Sequence, residues 1–142
     1  MKAVVVGADF TYGTKRSGSV ETLRSAAQAR GAHVAIVTPV SIEGVVVSST
    51  KVREYVLEGR VEAAARLLGR PFDLEGVVVT GAQRGRTIGF PTANVDSLNE
   101  LRPAAGVYAV SVTLPGGAVH GGACNLGVKP TFEGQNVTIE CN

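Results

Sequence analysis

Hydrophobic positions in the first half of the chain alternate between short strand-like runs and helix-like spacing. A β-branched run over 2–6 predicts a buried parallel strand, and 34–37 predicts a second one. Between them, 20–30 carries apolar residues at helical spacing, with Ser19 as the N-cap and Gly31 as the stop. The pattern predicts a β-α-β unit, which is typical of half of an α/β domain.

Two more helices follow this unit. Apolar spacing predicts helices over about 51–57 and 61–68, each ended by a glycine. Ser48 or Ser49 is the predicted N-cap of the first. These helices complete the α/β half of the chain.

The pattern changes at the Gly-Arg-Pro segment over 69–71. Beyond it lie short apolar runs separated by glycine and proline turns, at 74–80, 107–114 and 118–125. Short strands separated by such turns predict a small antiparallel β-barrel. We therefore predict two domains, an α/β domain over 1–69 and an all-β domain over 70–142.

Composition and charge argue against several classes of partner. The chain has 142 residues, a formal net charge of +2, Tyr 3, Phe 4 and no Trp. A near-neutral charge with scattered basic residues and few aromatic side chains argues against nucleic acid. No apolar run reaches membrane-spanning length, so no membrane partner is expected. Cys124 and Cys141 show neither metal nor disulfide-framework spacing, which predicts reduced thiols in a cytoplasmic protein.

One segment concentrates the polar chemistry of the second half, the sequence GAQRGRTIGFPTAN over 81–94. Its glycines supply backbone N–H groups, its arginines supply cations, and Thr92 and Asn94 supply side-chain oxygens at a spacing fixed by Pro91. A polyphosphate and its metal ion require these groups. The competing interpretation is a glycine-rich hairpin with a solvated basic tip. The candidate binding residues are Gly81, Arg84, Gly85, Arg86, Gly89, Thr92 and Asn94.

A second candidate anion site lies at the start of the helix predicted over 51–57. Ser48, Ser49 and Thr50 place three hydroxyls at its N-terminus, with Arg53 one turn along. Capping geometry and the helix dipole make such an end favourable for phosphate. A plain N-cap, which needs only one hydroxyl, is the alternative.

A third candidate is the segment GADFTYG over 7–13, directly after the first strand. The carboxyl end of a strand is where α/β sheets bind ligands. Asp9 would accept hydrogen bonds and Phe10 would supply an aromatic face. An ordinary strand-to-helix connection is the alternative.

Several motifs in collinear order resemble the bacterial bifunctional riboflavin kinase/FMN adenylyltransferase family, also called FAD synthetases. The glycine-rich loop followed by PTAN at 91–94 resembles the riboflavin kinase signature. GVYAV at 106–110 and NLGVKPTF at 125–132 resemble the middle of the kinase barrel. Upstream, VSSTKVREYVLEG at 47–59 resembles the end of the adenylyltransferase half. The likeness runs from about residue 4 to residue 140.

The resemblance implies a fold and an activity. The fold would be the remnant of a Rossmann-like nucleotidyltransferase domain followed by a small antiparallel riboflavin kinase-like β-barrel, truncated at both ends relative to the family. The retained reaction would convert ATP and riboflavin to ADP and FMN. FAD formation from FMN and ATP is expected to be absent, because neither His33 nor His120 lies in an HxGH motif. The rival hypothesis is a non-catalytic fragment with residual flavin or nucleotide binding.

The resemblance also implies roles for the candidate residues. Thr92 and Asn94 would hold Mg²⁺ with ATP, and the segment over 48–53 would hold the triphosphate in the adenylyltransferase half. Asp9 and Phe10 would lie in the loop that contacts flavin and nucleotide.

Glu140 matches the family's catalytic base by position, although Asn142 stands where the family usually has histidine. Because nothing in the sequence follows Asn142, we expect this end to be unanchored and to fray. The expected partners are the small molecules riboflavin, FMN and ATP. The sequence leaves the oligomeric state open.

Overall fold

The computed structural model of the chain describes residues 2–81, 91–131 and 134–142. The chain divides into two compact units, Met1–Val47 and Ser48–Asn142. The sequence-based domain boundary between 69 and 70 stays a prediction.

The first unit contains the predicted β-α-β segment. Strands β1 (Ala3–Gly7) and β2 (His33–Val37) pair in parallel, and helix α1 (Val20–Gln28) lies between them in the chain. Ser19 caps α1 through a capping box, in which its hydroxyl accepts from the Thr22 N–H at 3.5 Å and the Thr22 hydroxyl accepts from the Ser19 N–H at 2.9 Å. The predicted helix and its cap are confirmed.

A short hairpin that the hydrophobic pattern did not predict ends this unit. Strands β3 (Ser41–Ile42) and β4 (Val45–Val46) pair in antiparallel register. Both turn residues have positive φ, 50° at Glu43 and 79° at Gly44. That backbone is typical of the two-residue hairpin turns whose first position usually carries Asn, Asp or Gly. Because Glu43 occupies that first position, the sequence pattern does not indicate the turn.

The second unit begins with two helices at the predicted places. These are α2 (Ser49–Leu57) and α3 (Val61–Leu68), which pack on each other, and each carries a fully buried residue, Val56 and Ala64. Ser48 rather than Ser49 is the N-cap of α2, since its hydroxyl accepts from the Lys51 N–H at 3.2 Å.

The turn between these helices packs against the β part of the same unit. Gly59 has φ 76°, and a Cβ placed there would come within 2.8 Å of the Tyr108 hydroxyl and 3.2 Å of the Ala104 Cβ. The Tyr108 hydroxyl donates to the Ala104 carbonyl at 2.6 Å. Glycine is required at this turn both by its backbone conformation and by the close approach of Tyr108.

The remainder of the second unit is one antiparallel sheet of five strands. In chain order they are β5 (Gly76–Val79), β6 (Ala93–Ser97), β7 (Gly106–Thr113), β8 (Val119–Thr131) and β9 (Gly134–Cys141). Their order across the sheet is β5-β6-β9-β8-β7. Among the described residues β5 and β7 are the edge strands, so closure into a barrel stays a prediction.

One face of this sheet carries the core. Cys124, Leu126 and Ile139 are buried, and they pack with partly buried neighbours at Leu74, Val95, Tyr108, Val110 and Cys141. Successive side chains of a strand point to opposite faces. The residues between these apolar positions therefore lie on the other face.

Hydrogen bonds hold one end of the β5–β6 pair. The buried Ser97 hydroxyl donates to the Glu75 carbonyl at 2.8 Å, and the Glu75 N–H donates to the Asn99 side-chain oxygen at 2.9 Å. The Arg102 guanidinium donates to the Ser97 carbonyl at 2.7 Å. The other end of β6 begins within the PTAN segment, which enters the strand at Ala93.

Candidate functional site

Three polar residues lie side by side on the sheet face opposite the core. Asn94 on β6 pairs with Glu140 on β9, and Glu140 pairs with Asn125 on β8. Residues directly opposite each other in an antiparallel sheet share a face. We call Asn94, Glu140 and Asn125 the polar row. Its carboxylate is flanked by a carboxamide on each neighbouring strand.

The polar row is accessible from solvent, to a different degree at each residue. Asn94 and Glu140 are half-buried, and Asn125 is exposed. The next residues along the strands, Val95 and Ile139, belong to the core face. The core thus fixes the strands while their polar side chains point to the opposite surface.

The strand that carries Glu140 is anchored on both sides. It pairs with β6 through Ala93–Val95 and with β8 along its whole length. Beyond Glu140, the Asn142 N–H donates to the Ala123 carbonyl and the Asn142 carbonyl accepts from the Ala123 N–H, both at 2.9 Å. The expectation of an unanchored end is wrong, because two ladders of backbone hydrogen bonds hold β9 up to its last residue.

Gly81 and Thr92 lie at the same end of β6 as Asn94. Val79 on β5 pairs with Asn94, so the chain leaves β5 beside the polar row. A Cβ at Gly81 would overlap the Asn94 amide nitrogen and come within 2.7 Å of its amide oxygen. Thr92 is exposed and immediately precedes β6. The structure therefore brings Gly81, Thr92, Asn94 and Glu140 together.

The other residues of the glycine-rich loop lie outside the described part of the chain. These are Arg84, Gly85, Arg86 and Gly89. Their proposed contacts with phosphate stay predictions.

The start of α2 has one hydroxyl engaged in capping and two residues with exposed hydroxyls. Ser48 accepts from the Lys51 N–H, while Ser49, Thr50 and Arg53 are exposed. The Lys51 ammonium donates to Glu54 at 2.8 Å, and this hydrogen bond raises the pKa of Lys51. The hydroxyl of Ser48 thus forms the plain N-cap that was the alternative to an anion site. Anion binding by Ser49, Thr50 and Arg53 stays a prediction.

Asp9 and Phe10 belong to the first unit, in the turn that follows β1. A Cβ at Gly7 would come within 2.9 Å of an Asp9 carboxylate oxygen, so this side chain folds back over the end of the strand. The Phe10 ring stacks on Tyr12 with 6.0 Å between centroids. Both residues are exposed. Their roles toward flavin or nucleotide stay predictions.

Two segments of the chain match known protein families. Residues 68–142 match the riboflavin kinase family, and residues 1–51 match the FAD synthetase family. The chain therefore belongs to the riboflavin kinase/FAD synthetase family, as the motifs predicted.

Among its relatives are bifunctional riboflavin kinase/FMN adenylyltransferases. The chain is 37% identical over 140 residues to the Haemophilus influenzae protein, matching 99% of this chain and 46% of that one. It is 42% identical over 129 residues to the Bacillus subtilis protein, matching 90% and 40% respectively. The chain spans less than half the length of these relatives.

A solved structure has the same fold over nearly the whole chain. It is described as a macrolide-efflux protein from Streptococcus pneumoniae, with a TM-score of 0.89 and 38% identity over 99% of this chain and 45% of that one. In the described part of the present chain, no helix is long and apolar enough to cross a membrane.

Proposed function

We propose that this chain transfers the γ-phosphoryl group of ATP to the primary hydroxyl of riboflavin, giving ADP and FMN. The observation that carries this proposal is the pairing of Glu140 with Asn94, the last residue of the PTAN segment. Phosphoryl transfer depends mostly on positioning and charge neutralisation, with a base to orient the hydroxyl and accept its proton. The polar row supplies a carboxylate beside the residues proposed to hold the phosphates.

The proposed roles follow from where the residues lie. Glu140 accepts the proton of the riboflavin hydroxyl, and its fixed strand holds the carboxylate in place. Gly81 leaves room for the Asn94 amide, and the glycine-rich loop that starts there would carry the phosphates. Asn125 flanks the other side of Glu140 and offers a carboxamide to the ribityl hydroxyls.

The residues at the start of β6 fit a magnesium ion. Thr92 and Asn94 offer a hydroxyl and an amide oxygen, the hard oxygen donors that Mg²⁺ prefers, and Mg²⁺ usually takes few protein ligands beside substrate phosphates. Within the described residues no cluster of three or more His, Cys, Asp or Glu side chains forms a denser metal site. When bound with ATP, the ion would neutralise charge on the phosphoryl oxygens.

The proposal is tested by incubating the purified chain with riboflavin, ATP and Mg²⁺ and separating flavins by chromatography. FMN formation in step with ADP supports it. Thermal unfolding with and without MgADP or FMN distinguishes the rival, since a ligand that binds only the folded form raises its apparent stability. Stabilisation without FMN formation would favour a non-catalytic binding fragment. The absence of both effects would overturn the proposal.

We further expect no FAD when the same chain is given FMN, ATP and Mg²⁺. The chain lacks an HxGH motif, and its segment over 48–53 would have no histidine partner to stabilise the transferring adenylyl group. A full-length bifunctional relative serves as the positive control in the same chromatographic assay. FAD above the no-enzyme background from this chain would refute the expectation.

Replacement of Gly81 with alanine is expected to weaken MgADP binding and FMN formation together. The new methyl group overlaps the Asn94 amide, so either Asn94 or the start of the glycine-rich loop must move. Gly121→Ala is the matched control, because a Cβ at that position on β8 meets no heavy atom within 4 Å. Titration of MgADP against both variants measures the difference, and equal affinity in the two would contradict the role of Gly81.

A further inference from the structure

Two cysteines face each other inside the sheet of the second unit. Cys124 on β8 and Cys141 on β9 are register partners, and their Sγ atoms are 3.0 Å apart. Both are reduced in this structure. They lie on the core face, away from the polar row, and the proposed function uses neither of them.

The hydrogen-bond pattern shows which kind of cross-strand pair they form. The neighbouring pair, Ala123 and Asn142, exchanges both backbone hydrogen bonds. Because the two kinds of pair alternate in an antiparallel ladder, Cys124 and Cys141 form a non-hydrogen-bonded pair, whose Cα atoms are typically about 4.5 Å apart. Disulfides span Cα separations of roughly 4.4–6.8 Å. The two thiols can therefore join without movement of the strands.

We propose that Cys124 and Cys141 are a site of reversible disulfide formation, oxidised by a low-molecular-weight disulfide such as oxidised glutathione. The thiolate of one cysteine attacks a sulfur of the small disulfide, which forms a mixed disulfide and releases one small thiol. The second cysteine then attacks the protein sulfur of that mixed disulfide and releases the other small thiol. The protein loses two electrons and two protons, and the small disulfide gains them as two thiols.

Burial sets the order of these two steps. Cys141 is half-buried, whereas Cys124 is only 4% exposed. Burial, followed by the hydrogen bond with Cys141, raises the pKa of Cys124 to about 12. The groups that face Cys124 are the Cys141 thiol on β9, the side chain of its register partner Tyr108 on β7, whose hydroxyl is engaged by the Ala104 carbonyl, and apolar side chains. Cys141 is therefore the thiol that meets the oxidant, and Cys124 is the thiol that resolves the mixed disulfide.

The bond would join the two strands one residue beyond the polar row. A cross-link between β8 and β9 restricts the unfolded chain over the whole connection between these strands. We expect the oxidised chain to unfold at a temperature higher by about 5 °C or more. This expectation does not depend on whether the chain phosphorylates riboflavin.

Oxidation of the full chain with oxidised glutathione, followed by alkylation and intact mass measurement, tests the proposal. We expect a monomer that has lost two hydrogen atoms, accepts no alkylating reagent and regains both thiols with dithiothreitol. Peptide mapping should join the segments that contain Cys124 and Cys141.

Single variants separate the two roles. Cys124→Ser should accumulate one glutathione adduct on Cys141, while Cys141→Ser should form neither the adduct nor the intramolecular bond at a comparable rate. Circular dichroism checks that each variant is folded. If a variant does not fold, the loss of two hydrogen atoms from the oxidised parent chain decides the outcome. Two alkylatable thiols after prolonged oxidation of the folded parent, or disulfides only between chains, would overturn the proposal.

Discussion

Replacement of Glu140 with glutamine is expected to lower the rate of FMN formation by about 10²–10⁴-fold, the usual contribution of a general base. Glutamine keeps the size and hydrogen-bonding reach of the side chain but cannot accept the riboflavin proton. The residue lies on the central strand, and its backbone pairing with Asn94 and Asn125 does not depend on the carboxylate. Turnover should therefore fall far more than MgADP affinity.

The matched control for this variant is Glu100→Gln. Glu100 is an exposed carboxylate beyond the end of β6, so its loss removes the same charge without touching the polar row. Steady-state FMN formation and MgADP titration on both variants measure the separation. If Glu140→Gln retained the turnover of the Glu100→Gln control, Glu140 would have no part in proton transfer.

Replacement of Thr92 with alanine is expected to reduce FMN formation by at least about a hundredfold, since a lost metal ligand removes several kcal/mol of transition-state stabilisation. Thr92 is exposed and precedes β6, so its side chain contributes little to the core. The thermal midpoint without ligands should therefore stay near that of the parent, and the Mg²⁺ concentration needed for half-maximal turnover should rise.

Two controls make this expectation specific. Thr92→Ser keeps the hydroxyl and should retain most of the turnover. Thr113→Ala removes an exposed threonine at the far end of edge strand β7 and should leave turnover unchanged. Loss of activity in Thr92→Ser as severe as in Thr92→Ala would indicate that packing of the methyl group, not metal binding, explains the effect.

The elements with strong hydrophobic periodicity were predictable from the sequence. The three helices, the serine caps of the first two and the first two strands lie within a few residues of the predicted bounds, because apolar spacing and capping residues agree there. The hydrophobic pattern does not predict strand β6, since Val95 is the only large apolar residue in Ala93–Ser97 and a proline-threonine pair precedes the strand. Its stability comes from pairing with β5 and β9, which no local pattern reveals.

The site was predictable only in part for a similar reason. The composition of the PTAN segment indicated Thr92 and Asn94, and family resemblance indicated Glu140. The neighbour relation between Glu140 and Asn125, and that between Cys124 and Cys141, depends on the register of β8 and β9. Register follows from turn geometry and from which face is buried. Spacing along the sequence therefore could not place either pair.

The position of β9 has a consequence for the order in which this sheet assembles. β9 follows the other four strands in the chain, yet it lies between β6 and β8 in the middle of the sheet. β5 with β6, β7 with β8 and β8 with β9 are each neighbours in sequence, so these pairs form at low loop-closure cost, whereas the pairing of β6 with β9 joins strands that are far apart in the chain. Asn94 thus belongs to a different locally formed part of the sheet from Asn125 and Glu140 until β6 and β9 pair. That pairing joins the two parts of the sheet and brings Asn94 beside Glu140 in the same event.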